Sequence, residues 1–162
     1  MTVIFSDIPD TLEAFRALPQ CDLSRPENTC ALLLLAARLF IKDRDAGTAA
    51  MNLLRGPRPM TPYDVQFLRD RLRDKPYLPL AYFNGTAPEN SYTPSRPYTL
   101  EVLPDPRPQD IPEGYLRLYL RTAGADSPRP VKLRRKGNEW MLWEYSSVLS
   151  GIRIPAAEDP WA

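Results

Sequence analysis

The stretch Arg129 to Tyr145, RPVKLRRKGNEWMLWEY, limits the fold more than any other part of the chain. Gly137-Asn138 separates two runs in which apolar and aromatic residues alternate with charged ones. Glycine first in a two-residue loop suits the type II′ turn of a β-hairpin. With Lys136 and Glu139 closing the turn, the register pairs Arg135 with Trp140, Arg134 with Met141, Leu133 with Leu142 and Lys132 with Trp143. Side chains alternate across a strand, so Val131, Leu133, Trp140 and Leu142 share one face, with Arg135 and Glu144 near its ends. Lys132, Arg134, Lys136, Met141, Trp143 and Tyr145 share the other. The first is a core face; the second is basic and aromatic.

The run Tyr115 to Arg121, YLRLYLR, repeats the pattern, with Leu116, Leu118 and Leu120 opposite Tyr115, Arg117, Tyr119 and Arg121. Thr122 to Pro128 is long enough to return the chain antiparallel, so the three strands form a meander whose leucine faces coincide. Tyr98 to Leu103 adds a fourth strand. The outer face then gathers Tyr115, Arg117, Tyr119, Arg121, Lys132, Arg134, Trp143 and Tyr145 as a candidate partner surface.

Ahead of these strands the pattern is helical. Thr2 to Phe5 is a short β-like or irregular lead-in. Asp10, with Glu13 in the reciprocal position, caps a first helix that Pro19 stops, and Ser24-Arg25-Pro26-Glu27 is a second capping box with proline in the first turn. The helix it opens runs to about Asp43; its middle, ALLLLAARLFI, is apolar nearly all round and marks the central, covered helix. A third helix spans Thr48 to Arg55, ending at Gly56, and Thr61-Pro62-Tyr63-Asp64 opens a fourth. Nineteen prolines fall between the periodic segments and stiffen the connections. One connection, residues 84–97, is a fourteen-residue polar loop, a length that implies either pinning or mobility.

Helices followed by strands indicate one α+β domain over residues 1–162, with a helical part at 1–76, an antiparallel sheet at 98–146 and a tail at 156–162. About four N-terminal helices pack on one face of a C-terminal antiparallel sheet of three or four strands. The run Ala31 to Ile41 is eleven residues long and carries Arg38, too short to span a bilayer. The first residues lack the basic start and apolar core of a signal peptide, so a cytoplasmic location is expected.

Absent residues prune the chemistry. Without histidine there is no Ser-His or Cys-His nucleophile and no histidine metal cluster, and the seven glycines form neither a phosphate loop nor a dinucleotide fingerprint. Asp105, Asp110 and Glu113 lie in a proline-rich connection and read as solvated. The reading leans away from catalysis and calls for no cofactor or metal. Cys21 and Cys30 read as free thiols. A net charge of +1 argues against nucleic acid and membrane as partners.

The basic-aromatic face remains. Tyrosine, tryptophan and arginine dominate binding hot spots, because each joins large contact area to a polar handle, so one reading is a docking surface for a protein or peptide. Another is that arginine stems lie over neighbouring rings and merely shield an exposed sheet. An alternative of another kind is a small-ligand-binding or enzymatic domain with a pocket between sheet and helices, its mouth near Tyr82, Tyr92 and Arg96.

Two segments, AYFNGTAPENSYTPSRPYTL at Ala81 to Leu100 and WMLWEYSSVLSGIRIP at Trp140 to Pro155, resemble a family of bacterial domains of unknown function. The resemblance implies an intracellular globular domain. It brings no catalytic or binding residues with it.

Overall fold

In the computed structural model, which describes residues 1–162, five strands form one antiparallel sheet in sequence order. They are β1 (Thr2–Phe5), β2 (Tyr98–Leu103), β3 (Tyr115–Leu120), β4 (Arg129–Lys136) and β5 (Glu139–Glu144). Between β1 and β2 lie four helices, α1 (Leu12–Arg16), α2 (Pro26–Lys42), α3 (Arg44–Arg55) and α4 (Pro62–Leu72). The class is α+β, but the sheet is larger than the three or four strands expected and is not confined to the C-terminal half. The lead-in Thr2–Phe5 is a full member, pairing Thr2 with Glu101 through Phe5 with Tyr98. Its alternation is complete: Val3 and Phe5 are buried, while Ile4 between them faces solvent.

Helix α2 is the spine of the molecule. Leu32 to Ala37 have no exposed surface. The helix lies against β1, β2, β3 and β5, where Leu100, Val102, Leu118, Leu120, Val131, Leu133 and Leu142 close the core. Side chains thus occupy the space between sheet and central helix. No helix is long and apolar enough to cross a membrane.

Helix α3 starts four residues earlier than its apolar pattern suggests, because the Asp43 carboxylate accepts from the Ala46 N–H at 3.2 Å and caps it. This permits close contact between α2 and α3: a Cβ on Gly47 would lie 2.1 Å from the Phe40 Cα. The α4 capping box forms as expected, Thr61 Oγ1 accepting from Asp64 N at 3.2 Å and Asp64 Oδ2 accepting from Thr61 N at 2.9 Å.

The other two caps differ from expectation. Thr11, not Asp10, caps α1; Asp10 is drawn to Lys42 at 3.0 Å and Arg38 at 3.3 Å. Arg25 sits at the start of α2 without a side-chain cap, because the Ser24 hydroxyl and N–H both donate to Asp22, two residues away. A nearer acceptor has displaced the capping bond.

The long connection 84–97 is pinned. The Asn90 side chain bridges Ala87 N, Thr93 N and the Gly85 carbonyl. Tyr92, fully buried, stacks on Tyr77 at 5.6 Å and donates its hydroxyl to the Arg153 carbonyl at 2.6 Å. Both cysteines are free; Cys30 is buried in α2. After the sheet, Ile152 packs on the core while Ile154 stays exposed.

Candidate functional site: a basic-aromatic sheet face

The β3–β4 register sets Tyr115 beside Arg134 and Arg117 beside Lys132. Rings and cations therefore interleave across neighbouring strands. The Arg134 guanidinium lies 4.8 Å from the Trp143 ring centre and 5.4 Å from that of Tyr115, whose ring meets Trp143 edge-on at 5.5 Å. Arg117 stands 5.8 Å from Tyr119. Such cation–ring contacts contribute about 0.5–1 kcal/mol each when exposed.

The hairpin register follows the sequence pattern from Lys136–Glu139 to Leu133–Leu142, then slips: Lys132 faces Glu144, not Trp143. Trp143 is the extra residue of a β-bulge, which bends the strand and leaves a carbonyl without a ladder partner. The α3–α4 connection meets this need. Arg58 Nη2 donates to the Trp143 carbonyl at 2.6 Å and reaches the Leu142 carbonyl at 3.4 Å, while its guanidinium lies 4.2 Å from the Trp143 ring centre. Trp143 therefore carries two guanidinium groups, one from the sheet and one from the helical half. Burial, and then repulsion from Arg55 and Arg134, lower the basicity of Arg58.

Arg55 anchors the connection. It is 6% exposed and fully engaged: Nε donates to the Arg58 carbonyl, Nη1 to the Tyr145 hydroxyl and Nη2 to Asp64 Oδ2. Tyr145, expected on the partner surface, is thus bound to the helical half and is not part of the open face. Burial pushes its phenol above the ordinary value, and Arg55 opposes that rise. Met141, expected outside, lies beneath the same connection: a Cβ on Gly56 would come 2.9 Å from its sulfur.

Arg117 is neutralised. Its Nε and Nη2 donate to the two Asp105 oxygens at 3.1 Å each, and the Asp105 side chain is only 2% exposed, so the residue read as solvated is a buried partner. Burial opposes ionisation of Asp105, but the Arg107 N–H and the Arg117 fork outweigh it and hold the carboxyl below its ordinary value. Continuing the β2–β3 register, Leu103 opposite Tyr119, by two residues would set Asp105 opposite Arg117.

What remains free is a cleft of about 340 Å³ between the Gly56–Arg58 segment and the β4–β5 hairpin. Arg58, Arg134, Arg135 and Lys136 line it over a floor of Met141 and Leu142, with Trp143 at the side, and no lining residue is acidic. None of those four cations takes part in an ion pair.

The remaining sequence candidates scatter. Tyr115, Arg117, Tyr119, Lys132, Arg134 and Trp143 come together on the face. Arg121 lies just past β3 and is exposed. Tyr82 is 2% exposed and donates to the Val148 carbonyl, and Tyr92 is buried; both brace the interior. Arg96 lies over Tyr98 at 5.0 Å. Arg55 and Arg58 carry no pattern that foretells their reach to the sheet; only proximity in the fold reveals them.

No curated protein and no solved structure matches the chain. A family model described as a domain of unknown function matches residues 7–156, spanning all four helices and strands β2 to β5. The chain therefore belongs to the DUF6935 family, a domain of unknown function.

Proposed function

We propose that this domain is a non-enzymatic protein-interaction module that docks an acidic segment of a protein partner on the basic-aromatic sheet face. The observation that carries this reading is Trp143 held by the guanidinium groups of Arg58 and Arg134, neither of which has a carboxylate partner. A large ring fixed by two cations combines a rigid apolar contact with unspent charge, the combination found in binding hot spots. Tyr115 and Tyr119 extend the contact area along the neighbouring strand at little further entropic cost, since their rings already rest on neighbouring groups. The charge steers encounter and selects acidic partners, so affinity falls as salt rises.

The test is fluorescence anisotropy with a fluorescein-labelled glutamate-rich peptide, run on the parent and on Arg134→Ala/Trp143→Ala. Salt-sensitive binding by the parent, weakened about tenfold or more in the double variant, is expected. Equal binding by both proteins would refute the reading, as would tighter binding of a single-stranded oligonucleotide than of the peptide.

A further inference from the structure

Resting on that reading of the face, we propose that the cleft between Arg58 and the β4–β5 hairpin seats a phosphorylated serine or threonine of the partner segment. Arg58, Arg134, Arg135 and Lys136 all line one cleft with no acid in its lining. Like charges held together repel one another, and an anion that enters offsets the repulsion. A carboxylate brings one negative charge and two oxygens. A phosphorylated side chain brings about −1.5 to −2 and three strong acceptors, the better match to several clustered cations.

Two of the cations are already oriented. Arg58 Nη2 is tied to the carbonyls of β5, and its buried Nε–H has no partner. Arg135 is held by its own Nε, which donates to the Gly137 carbonyl at 2.9 Å and leaves the end of its fork unused. Lys136 makes no side-chain bond and contributes a mobile point charge. Oriented donors lose less entropy on binding, the advantage of preorganisation.

The surroundings favour a single phosphate on a peptide over a polyanion. The neighbouring cleft beside Tyr63 and Phe67 contains Asp64 and Glu144, and the one beside Lys132 also contains Glu144. Carboxylates thus bound the positive site on that side. A nucleic-acid strand needs a basic groove that tracks successive phosphates, and here Asp64 and Glu144 interrupt the basic surface beside the cleft.

The experiment uses one glutamate-containing labelled peptide in three versions, with serine, glutamate or phosphoserine at its centre, titrated against the full chain. The phosphoserine version is expected to bind about tenfold tighter than the serine version and clearly tighter than the glutamate version. Lys136→Gln and Arg134→Gln are each expected to remove most of that preference, while Lys136→Gln, whose side chain makes no structural bond, leaves thermal unfolding unchanged. Equal binding of the phosphoserine and glutamate versions would overturn the phosphate assignment and leave the peptide-docking face standing. Failure of all three peptides to bind would overturn both. Displacement of the phosphopeptide by inorganic phosphate at equal affinity, or tighter binding to anionic vesicles than to the phosphopeptide, would also refute the assignment.

Discussion

Arg58 lies 4.2 Å from the centre of the Trp143 ring and, through Nη2, donates to the carbonyl of that same tryptophan at 2.6 Å. One side chain from the helical half thus holds both the backbone of a β-bulge and the ring the bulge presents. A charged hydrogen bond of this kind is worth about 1.5–3 kcal/mol. Arg58→Ala is therefore expected to lower stability by about 2 kcal/mol in urea unfolding. Arg58→Lys should recover only part of the loss, because an ammonium group cannot reproduce the planar fork over the ring. Full recovery by lysine would contradict the stacked role.

Arg55 ties α3 to α4 and to the end of β5 through Asp64 and Tyr145, the residue after the strand. Removing one member of a buried charged pair costs about 3–5 kcal/mol, whereas deleting one hydroxyl donor or acceptor costs about 1 kcal/mol. Arg55→Ala is expected at the first level and Tyr145→Phe at the second. A double-mutant cycle of Tyr145→Phe with Asp64→Asn should show coupling, since both groups share the Arg55 guanidinium. Strict additivity would mean that the three do not act as a unit.

Much of the face is legible in the sequence, and what is not has identifiable causes. The Gly137-Asn138 turn suffices for the β4–β5 register up to the bulge, and the leucine alternation for the face that β3 shares with β4, because local turn geometry and burial of one face agree. The bulge itself escapes notice: nothing in WMLWEY distinguishes an extra residue from an uninterrupted strand. Strand β1 is four residues long and pairs with residues about a hundred positions away, so neither length nor neighbours announce it. The arginines from the α3–α4 connection escape for a related reason: Gly56-Pro57 ends a helix visibly, but where the chain goes next depends on packing. Asp105 looked solvated because only the pairing of β2 with β3 brings it to Arg117.

The Asp105–Arg117 pair leads to a pH dependence. Asp105 titrates below its ordinary value when folded, so its contribution to stability is complete above the unfolded carboxyl value of about 3.9 and is lost as pH falls through the lower folded value. Denaturant unfolding of Asp105→Asn should show a stability deficit at neutral pH that shrinks below about pH 4. A deficit that is constant with pH would contradict the pair.

Gly47 tests the contact between α2 and α3. A methyl group there would fall 2.1 Å from the Phe40 Cα, backbone that cannot step aside. Gly47→Ala is expected to cost about 1–3 kcal/mol despite alanine's higher helix propensity. A stabilised variant would show that the two helices separate readily.

The most direct examination of the docking face follows the indole N–H signals of Trp140, Trp143 and Trp161 by NMR while the glutamate-rich peptide is added. Trp161, 92% exposed in the tail, serves as an internal control. The expected result is a saturable, salt-sensitive shift of the Trp143 signal while that of Trp161 stays in place. A Trp143 signal that does not move as the peptide binds, or movement confined to Trp161, would contradict the assignment of this face as the binding surface.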